Sequence, residues 1–381
     1  MRPLEGLLVL DFAQFLAGPF AATRLADLGA RVIKIERPGT GDICRQLYIS
    51  NLSLDGDSTL FHSINRNKQS YAADLKNPDD LARVKQLVAK ADVLIQNFRP
   101  GVMERIGLGP AECAALNPRL VYGVVTGYGN KGPWVNLPGQ DLLAQARSGL
   151  VYLNGNADQP PLPFGLSVAD LTASAHLVQG ILAALVRRGV TGKGGLVEVS
   201  LLESILDLQF ELTTTFLNDG GKAPQRSAIN NGNAYLGAPY GIYATADGYL
   251  ALAMGSIVKL GELLELPALA RYADPQTWFT HRDEIKQLIA DHLKLKPTAY
   301  WVSRLEAADY WCAEVLSWQK LWQTDAFKVL DWVQEVTRDD GPTLRTTRCP
   351  ISIDGKRFKS SRGAPRVGQH TEQIQTEFAL R

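Results

Sequence analysis

Cysteine and histidine are too scarce and too scattered in this chain to build a disulfide framework or a metal site. The 381 residues include four cysteines (Cys44, Cys113, Cys312 and Cys349) with no CxxC pair, and five histidines, no two of them four residues apart. Structural zinc sites need clustered ligands, and disulfide frameworks belong to small cysteine-rich secreted domains. We therefore predict reduced thiols, no bound metal and a cytoplasmic location.

The chain also lacks an excess of charge and a long uninterrupted apolar run. Forty basic residues against thirty-nine acidic ones leave a net charge of +1. That balance excludes the cationic field of a nucleic-acid-binding protein and argues against a polybasic membrane patch. The most apolar stretch, residues 168–186, contains Asp170, His176 and Gln179, which are costly in hydrocarbon. It predicts a buried helix, and residues 6–12 are too short for a signal peptide.

What the chain does have is an alternation of short apolar runs with segments of helical spacing. Strands are predicted at residues 6–12, 31–36, 71–75, 92–96 and 120–126, and helices at residues 18–28, 79–89 and after Pro110. This alternation predicts a parallel sheet with helices on both faces. Further on, helices are predicted at residues 142–150 and 171–188, followed by a strand at residues 196–200.

A change of texture near residue 220 predicts a second domain. Residues 220–235 are polar and rich in glycine and asparagine, which is typical of a linker. Two strand-like runs follow at residues 240–244 and 249–253, and then helical segments rich in Trp and Leu. With 381 residues, two or three domains are expected. We place a smaller domain at residues 225–325.

Two glycine-rich motifs are interpreted as turns. Residues 127–132 match GxGxxG after a predicted strand, but Pro133 stands where a helix should begin and no acidic residue follows about 20 positions later. Residues 189–194 lack the spacing of a phosphate-binding P-loop. His176 lies inside an apolar helical run, where a histidine is more often a core residue than a catalyst.

Asp170 allows two interpretations from its position alone. It precedes an apolar helical run, where an aspartate commonly caps the helix by accepting a backbone N–H, worth about 1 kcal/mol. In the same place, the helix dipole stabilises a carboxylate anion, and a partly desolvated anion in a cleft can act as a nucleophile. Spacing leaves both interpretations open.

Basic residues recur at the turns that follow the predicted strands. They are Arg37, Lys76, Arg99 and Arg105. Ligands of open α/β sheets bind beyond the carboxyl ends of the strands, so these cations should lie near a ligand. Any one of them could be solvated surface charge, but four at equivalent positions favour a ligand that carries several phosphates.

With these residues in view, the chain resembles a known family. The segments that carry the resemblance are residues 11–19 (DFAQFLAGP), 28–42 (LGARVIKIERPGTGD), 65–76 (NRNKQSYAADLK), 97–101 (NFRPG), 117–122 (NPRLVY), 167–170 (SVAD) and 368–371 (GQHT). In order and spacing they are similar to those of the family III coenzyme A transferases, which include formyl-CoA transferase and carnitine CoA-transferase. The resemblance spans nearly the whole chain.

The resemblance implies an α/β fold and a particular assembly. The large domain would be Rossmann-like, with a parallel sheet built from both chain ends, and the small domain would be α+β. Residues 1–224 and 326–381 would then form the large, CoA-binding domain, and residues 225–325 the small one. The resemblance further implies an interlocked homodimer whose two chains thread through one another.

For the site, the resemblance places the nucleophile of the family at Asp170. It implies CoA contacts at Leu16, Ala17, Arg37, Leu75, Lys76, Asn97, Phe98, Arg99 and Arg105, and it places Gln140 beside the reaction centre. The implied reaction moves CoA from an acyl-CoA, such as succinyl-CoA or acetyl-CoA, to a short or medium-chain carboxylic or dicarboxylic acid. An aspartyl anhydride and an aspartyl-CoA thioester are the intermediates. Neither ATP nor a metal is implied.

Two departures and two alternatives accompany this interpretation. Leu16 replaces a polar glutamine of formyl-CoA transferases, and residues 254–256 replace their run of glycines, which argues against formate or oxalate. An α-methylacyl-CoA racemase would resemble the chain almost as well, but its histidine would fall at Gln140, which cannot abstract a proton at neutral pH. A CoA-binding regulatory protein without turnover is the other alternative.

Overall fold

The structure is a computed structural model that describes residues 2–47, 49 and 51–381. The first half of the chain contains β1 (Leu8–Asp11), α1 (Ala17–Asp27), β2 (Arg31–Glu36), β3 (Ser53–Leu54), β4 (Asp57–Ser58), α2 (Thr59–Asn65), β5 (Lys68–Ala72), α3 (Pro78–Val88), β6 (Val93–Gln96), α4 (Val102–Arg105), α5 (Pro110–Leu116), β7 (Val121–Thr126), α6 (Asp141–Arg147), α7 (Val168–Thr191) and β8 (Gly195–Ser200).

The second half contains α8 (Leu201–Asp207), α9 (Phe210–Asn218), β9 (Gly241–Ala244), β10 (Tyr249–Leu252), α10 (Ile257–Leu264), α11 (Thr277–Thr280), α12 (Arg282–Leu293), α13 (Thr298–Glu306), β11 (Cys312–Glu314), α14 (Trp318–Gln323), α15 (Asp325–Val329), β12 (Val333–Thr337), β13 (Thr343–Thr347), β14 (Ser352–Ile353), β15 (Lys356–Arg357) and α16 (Thr371–Phe378). Short 3₁₀ helices lie at Ile43–Gln46, Leu150–Tyr152 and Pro267–Tyr272.

A six-stranded parallel sheet organises the larger of two compact units. Its strand order is β5-β2-β1-β6-β7-β8. The chain runs outward from β1 to β5, returns to the other side of β1 at β6, and continues outward to β8. This is the doubly wound, Rossmann-like order, and it creates a topological switch point between β1 and β6. The predicted parallel sheet is confirmed.

Helices cover both faces of this sheet, as the alternating pattern predicts. On one face, side chains of α3, α5 and α16, including Val84, Cys113 and Ile374, join a buried core with residues of the strands. On the other face lie α1 and α7. A Cβ atom at Gly123 of β7 would lie 3.1 Å from Leu177 and 3.3 Å from Ile181 of α7, so this helix packs closely on the sheet.

By length and apolar composition, α7 is the single helix in the described part of the chain that could cross a membrane. One of its faces covers the sheet, as predicted for a buried helix. Arg188, in its last turn, forms an ion pair at 2.9 Å with Asp92 at the edge of β6. The opposite face is exposed, with Val186 73% and Val190 89% accessible.

The C-terminal segment belongs to the larger unit but adds no strand to its sheet. That unit comprises Met1–Ala144, Ser167–Ile205 and Val329–Arg381. All six sheet strands come from residues 8–200, whereas the C-terminal segment forms two separate hairpins and α16. The prediction of a sheet built from both chain ends is therefore wrong. The C-terminal segment instead docks beside β5 through separate hydrogen bonds: the His370 backbone N–H donates to the Ser70 oxygen at 3.0 Å, and Thr371 accepts the Ala72 backbone N–H at 2.9 Å.

The smaller unit comprises Gln145–Leu166 and Leu206–Lys328. It is larger than the predicted residues 225–325, because a segment before α7 and the whole of α9 belong to it. Its antiparallel sheet has the order β11-β10-β9 and packs on α10, α12 and α13 around an apolar core. An α+β organisation is therefore present, with a discontinuous boundary that the pattern along the chain does not reveal.

Cations anchor the glycine-rich stretch that the sequence marks as a linker. Arg226 donates hydrogen bonds to the backbone oxygens of Asn154 and Gln159, each 2.6 Å long. Lys286 of α12, fully buried, donates to Ser227 at 2.9 Å and to the Asn230 backbone oxygen at 3.1 Å. Part of the predicted linker is thus an ordered element of the smaller unit.

The close packing of α7 on β8 predicts opposite effects for two glycine substitutions on one helix. A Cβ at Gly180 would lie 2.5 Å from Cγ1 of Val197, whereas a Cβ at Gly189 would meet nothing within 4 Å. Gly180→Ala should lower the melting temperature by about 2 to 5 °C through overpacking. Gly189→Ala should raise it by about 1 to 3 °C through helix propensity. Thermal unfolding followed by circular dichroism measures both, and equal shifts would contradict this packing.

Candidate active site

The turn between β1 and α1 lies at the carboxyl edge of the sheet, beside the switch point. Asn97, directly after β6, holds this turn from the side: its Oδ1 accepts the Gln14 N–H at 2.8 Å and its Nδ2 donates to the Gln14 oxygen at 2.7 Å. The Asn97 side chain, predicted to contact CoA, is thus engaged by the protein backbone. It fixes the loop that leads to Leu16 and Ala17.

Buried charges hold the same turn from below. Lys34 of β2 lies 2.8 Å from Oδ2 of Asp42 and donates to the Ala13 backbone oxygen at 2.7 Å. Asp42 also accepts the Phe15 N–H at 3.3 Å. Phe15 has a φ of +62°, a left-handed conformation that costs a non-glycine residue free energy and persists only where neighbours impose it.

A second buried pair continues this network. Lys68 of β5 lies 2.8 Å from Asp11, and it also donates to the Pro19 backbone oxygen and to Asn65, both at 2.8 Å. Burial lowers the pKa of Lys68 to about 8, although Asp11 opposes the shift. Asp11 in turn accepts the Ala13 N–H at 3.0 Å.

The helix that carries Asp170 begins at Val168, so Asp170 lies in its first turn as the third residue. The interpretation of Asp170 as the N-cap is therefore wrong: Ser167 occupies that position, without a side-chain cap. The capping carboxylate comes from Asp141 at the start of α6, which accepts the Ala169 N–H at 2.7 Å and the Asp170 N–H at 3.4 Å. Asp170 itself is left for another role.

The surroundings of Asp170 hold its carboxyl group near its titration point. Burial, followed by the negative charge of Asp141, raises the pKa of Asp170 from 3.8 to about 7, and a hydrogen bond from the Ala17 backbone N–H lowers it. Ala17 is the first residue of α1. A partly buried carboxylate with a strongly raised pKa at the edge of a switch point is typical of a functional group.

Four cations lie beyond the carboxyl ends of the strands, as the sequence predicts. Arg37 directly follows β2, Lys76 follows β5, and Arg99 and Arg105 follow β6; all four side chains are exposed. Among residues 2–47, 49 and 51–381, none of them has an ion-pair or hydrogen-bonding partner for its side chain. Cations without partners at this edge fit an anion with several phosphates.

The other predicted contact residues differ in their packing. Leu16 is partly buried against Cys44 and Phe61, while Leu75 and Phe98 pack at the margin of the main core. Gln140 is exposed, directly before α6. The structure thus brings Ala17 to Asp170, and gives Leu16, Leu75 and Phe98 partly structural roles.

The remaining sequence motifs have structural roles. The residues after β7, matching GxGxxG, form a turn, and no helix begins until Asp141, as predicted. His176 lies 3.1 Å from Oγ of Ser204. No group of three or more metal-binding side chains occurs in the part of the chain that the structure describes.

In the smaller unit, residues 254–256 form a turn that neighbouring residues hold in place. The family resemblance expects a run of glycines here in formyl-CoA transferases. Ser256 caps α10 by accepting the Lys259 N–H at 3.3 Å. Gly255 lies against the ring of Tyr310, where a Cβ would come within 2.6 Å. The Met254 side chain is 55% exposed. This turn has less freedom than a run of glycines would have.

Comparison with known proteins decides the family. The model of CoA-transferase family III matches residues 4–371 of the chain. The chain belongs to this family. Succinyl-CoA:glutarate CoA-transferase of Mus musculus is 32% identical over 99% of this chain and 86% of its own length. Acetyl-CoA:oxalate CoA-transferase of Acetobacter aceti is 34% identical over 99% of this chain and 96% of its own length.

Solved structures show the same fold. The crystal structure of Rv3272 from Mycobacterium tuberculosis has a TM-score of 0.84 and 30% identity, covering 97% of this chain and 98% of that one. A CAIB/BAIF family protein from Brucella suis has a TM-score of 0.84 and 28% identity, covering 99% of both chains. The chain is thus a family III CoA-transferase, an enzyme that acts on CoA thioesters, with a mixed α/β fold.

Two functional features escaped sequence reasoning. The first is Asp141, which caps α7 and raises the pKa of Asp170. The buried pairs of Lys34 and Lys68 were not identified at all. A signal existed for Lys34, because a lysine in the middle of the apolar strand RVIKIE needs a buried partner.

The raised pKa of Asp170 predicts a pH-dependent stability difference. Because folding raises this pKa from 3.8 to about 7, the folded chain binds the proton more tightly than the unfolded chain. The resulting stabilisation is complete below pH 3.8 and is lost as the pH rises through about 7. Asp170→Asn does not titrate, so the melting temperature of this variant minus that of the wild type should increase by about 2 to 5 °C from pH 5 to pH 8.

The control is Glu335→Gln, which removes an exposed carboxylate of β12. Its difference from the wild type should be the same at both pH values. Differential scanning calorimetry of the three proteins gives the comparison. A pH-independent difference for Asp170→Asn would show that Asp170 keeps an ordinary carboxylate environment.

Proposed function

We propose that this enzyme transfers CoA from a short acyl-CoA donor, foremost succinyl-CoA, to a short dicarboxylic acid, with Asp170 as the nucleophile. The observation that carries the proposal is the position of Asp170. Its carboxyl group is partly buried and faces the Ala17 N–H, at the switch-point edge where four cations have no side-chain partner within the described part of the chain. The named relatives that use succinyl-CoA with glutarate support the choice of donor and acceptor.

The proposed reaction is a double displacement. Asp170 attacks the thioester carbonyl, and the C–S bond breaks. CoA departs as a thiolate, and a mixed anhydride forms between Asp170 and the donor acyl group. The thiolate then attacks Cγ of Asp170, which releases the donor acid and forms an aspartyl-CoA thioester. The acceptor carboxylate attacks this thioester, which breaks the C–S bond, expels CoA thiolate and forms a second mixed anhydride with Asp170. The thiolate finally attacks the acceptor acyl carbon, which forms the new acyl-CoA and restores the Asp170 carboxylate. A carboxylate is required because only an acyl-forming nucleophile conserves the activation of the thioester.

The protein groups that support these steps lie on α1 and on the strand ends. The Ala17 N–H, at the positive end of the α1 dipole, is suited to stabilise negative charge that develops on the Asp170 carbonyl oxygen. Arg37, Lys76, Arg99 and Arg105 would bind the phosphates of CoA. A pKa of about 7 leaves a large fraction of Asp170 ionised at neutral pH.

We also propose that the enzyme is a cytoplasmic homodimer. Apolar side chains that a monomer would leave in water support the dimer: Val186 and Val190 in the larger unit, and Trp318, 76% exposed, in the smaller one. Large exposed apolar areas commonly mark protein–protein contacts. An interlocked arrangement is the form that the family resemblance implies.

The experiment that tests the function detects acylation of Asp170. The wild type is incubated with succinyl-CoA or acetyl-CoA, treated with hydroxylamine and mapped by mass spectrometry. We expect a hydroxamate on the peptide that contains Asp170, followed by CoA transfer to added glutarate. Asp170→Asn should give no hydroxamate and should lower turnover at least about 1,000-fold, while Glu335→Gln should retain both.

Two outcomes would overturn the proposal. If no donor acylated the protein and an α-methylacyl-CoA exchanged its α-proton in deuterated water, the enzyme would be a racemase despite the amide of Gln140. If CoA bound equally to the wild type and to Asp170→Ala, without turnover in either, the chain would be a CoA-binding regulatory protein.

A further inference from the structure

Lys34 is a cation at the centre of a buried strand, with no access to solvent. Removing an ammonium group from water costs several kcal/mol, and an apolar residue of similar size often serves stability as well or better. Stability alone therefore does not explain a lysine at this place. Its contacts suggest another role, because every one of them leads to the turn between β1 and α1.

The turn is held at three successive residues by side chains from outside it. Lys34 donates to the Ala13 backbone oxygen at 2.7 Å. Asn97 accepts the Gln14 N–H and donates to the Gln14 oxygen. Asp42, which forms an ion pair with Lys34 at 2.8 Å, accepts the Phe15 N–H. The left-handed Phe15 is thereby imposed on the chain.

Two residues after Phe15, at Ala17, the constrained turn comes next to Asp170. The turn leads directly into α1, whose first residue, Ala17, has its backbone N–H near enough to the Asp170 carboxyl group to lower the pKa of that group. Phe15 determines the direction of the chain into this helix. If Phe15 left the left-handed conformation, the Ala17 N–H would move relative to α7, which contains Asp170.

We propose that Lys34, together with Asp42, is a positioning pair that keeps the Ala17 N–H directed at Asp170. The pair touches neither substrate nor reacting atoms. It acts by imposing the geometry of residues 13–15 from beneath the sheet edge. This inference rests on the proposed function of Asp170 as the nucleophile, which needs its ionised form.

The charged groups around Lys34 and around Asp170 are as follows. Burial would lower the pKa of the Lys34 ammonium, but three neighbouring carboxylates raise it above its ordinary value. They belong to Asp11, Asp42 and Glu36. Lys68 is the other cation in contact with the network, and Asp141 is the carboxylate that faces Asp170. Lys34 therefore stays charged throughout the neutral range, while Asp170 titrates.

The test compares Lys34→Met with the double variant Lys34→Met/Asp42→Asn. The single change leaves a buried carboxylate without its partner and can impair folding, whereas the double change removes both charges and keeps an oxygen that can accept the Phe15 N–H. The matched control is Arg66→Met, which breaks an equally buried ion pair with Asp27 at the far end of α1. It does not contact the turn.

Two readouts separate positioning from general destabilisation. The first is the pH dependence of single-turnover acylation by succinyl-CoA: in the Lys34 variants its acidic midpoint should rise by about one pH unit, the value of one lost hydrogen bond. The acylation rate at pH 7 should fall about tenfold or more, with the apparent Kd for succinyl-CoA changed less than threefold. Arg66→Met should keep the wild-type midpoint.

The second readout does not depend on activity. The carboxyl carbon of Asp170 is titrated by ¹³C NMR in aspartate-labelled protein, and its signal is assigned by its absence in Asp170→Asn. If the wild type is never acylated, the proposed function fails, but this titration still tests the positioning pair. A titration midpoint of Asp170 that is the same in the wild type and in the folded double variant would overturn the inference, as would an equal rise in Arg66→Met.

Discussion

The ion pair between Lys34 and Asp42 is the interaction on which the candidate site depends. It joins the second strand of the sheet to the loop after it, with both side chains about 1% exposed and 2.8 Å apart. Through Ala13 and Phe15 it determines the path of the turn that enters α1. Because a buried pair cannot exchange its partners for water, the turn is held in one conformation. The first N–H groups of α1 are thereby presented at the switch point.

Two neighbours of Asp170 have opposite effects on the ionisation of its carboxyl group. Asp141 caps α7, which stabilises the helix, but its charge also disfavours the ionised form of Asp170, while the Ala17 N–H favours it. The resulting pKa of about 7 reflects both effects, and it leaves a large fraction of Asp170 ionised at neutral pH. Catalytic groups are often tuned in this way by burial and neighbouring charge.

Much of the architecture follows from local patterns. The strand RVIKIE is predicted at its observed bounds, because a strand that is buried on both faces leaves a short, mostly apolar run in the sequence. The four cations after the strands could also be predicted, since parallel strands place their carboxyl ends at one edge. The unit boundaries could not be predicted, because Gln145–Leu166 joins the smaller unit through contacts with residues distant in sequence.

The sequence by itself therefore determined the parallel α/β class and the family, and it predicts Asp170 as the reactive carboxylate. Those conclusions rest on periodicity and on motifs that are continuous along the chain. Only the tertiary structure decided the state of that carboxylate and what surrounds it. Asp141 of α6 and Ala17 of α1 approach Asp170 of α7 from separate elements. Burial and charge act through space, so no local pattern around Asp170 could reveal that the carboxylate accepting its backbone N–H lies 29 residues earlier in the chain.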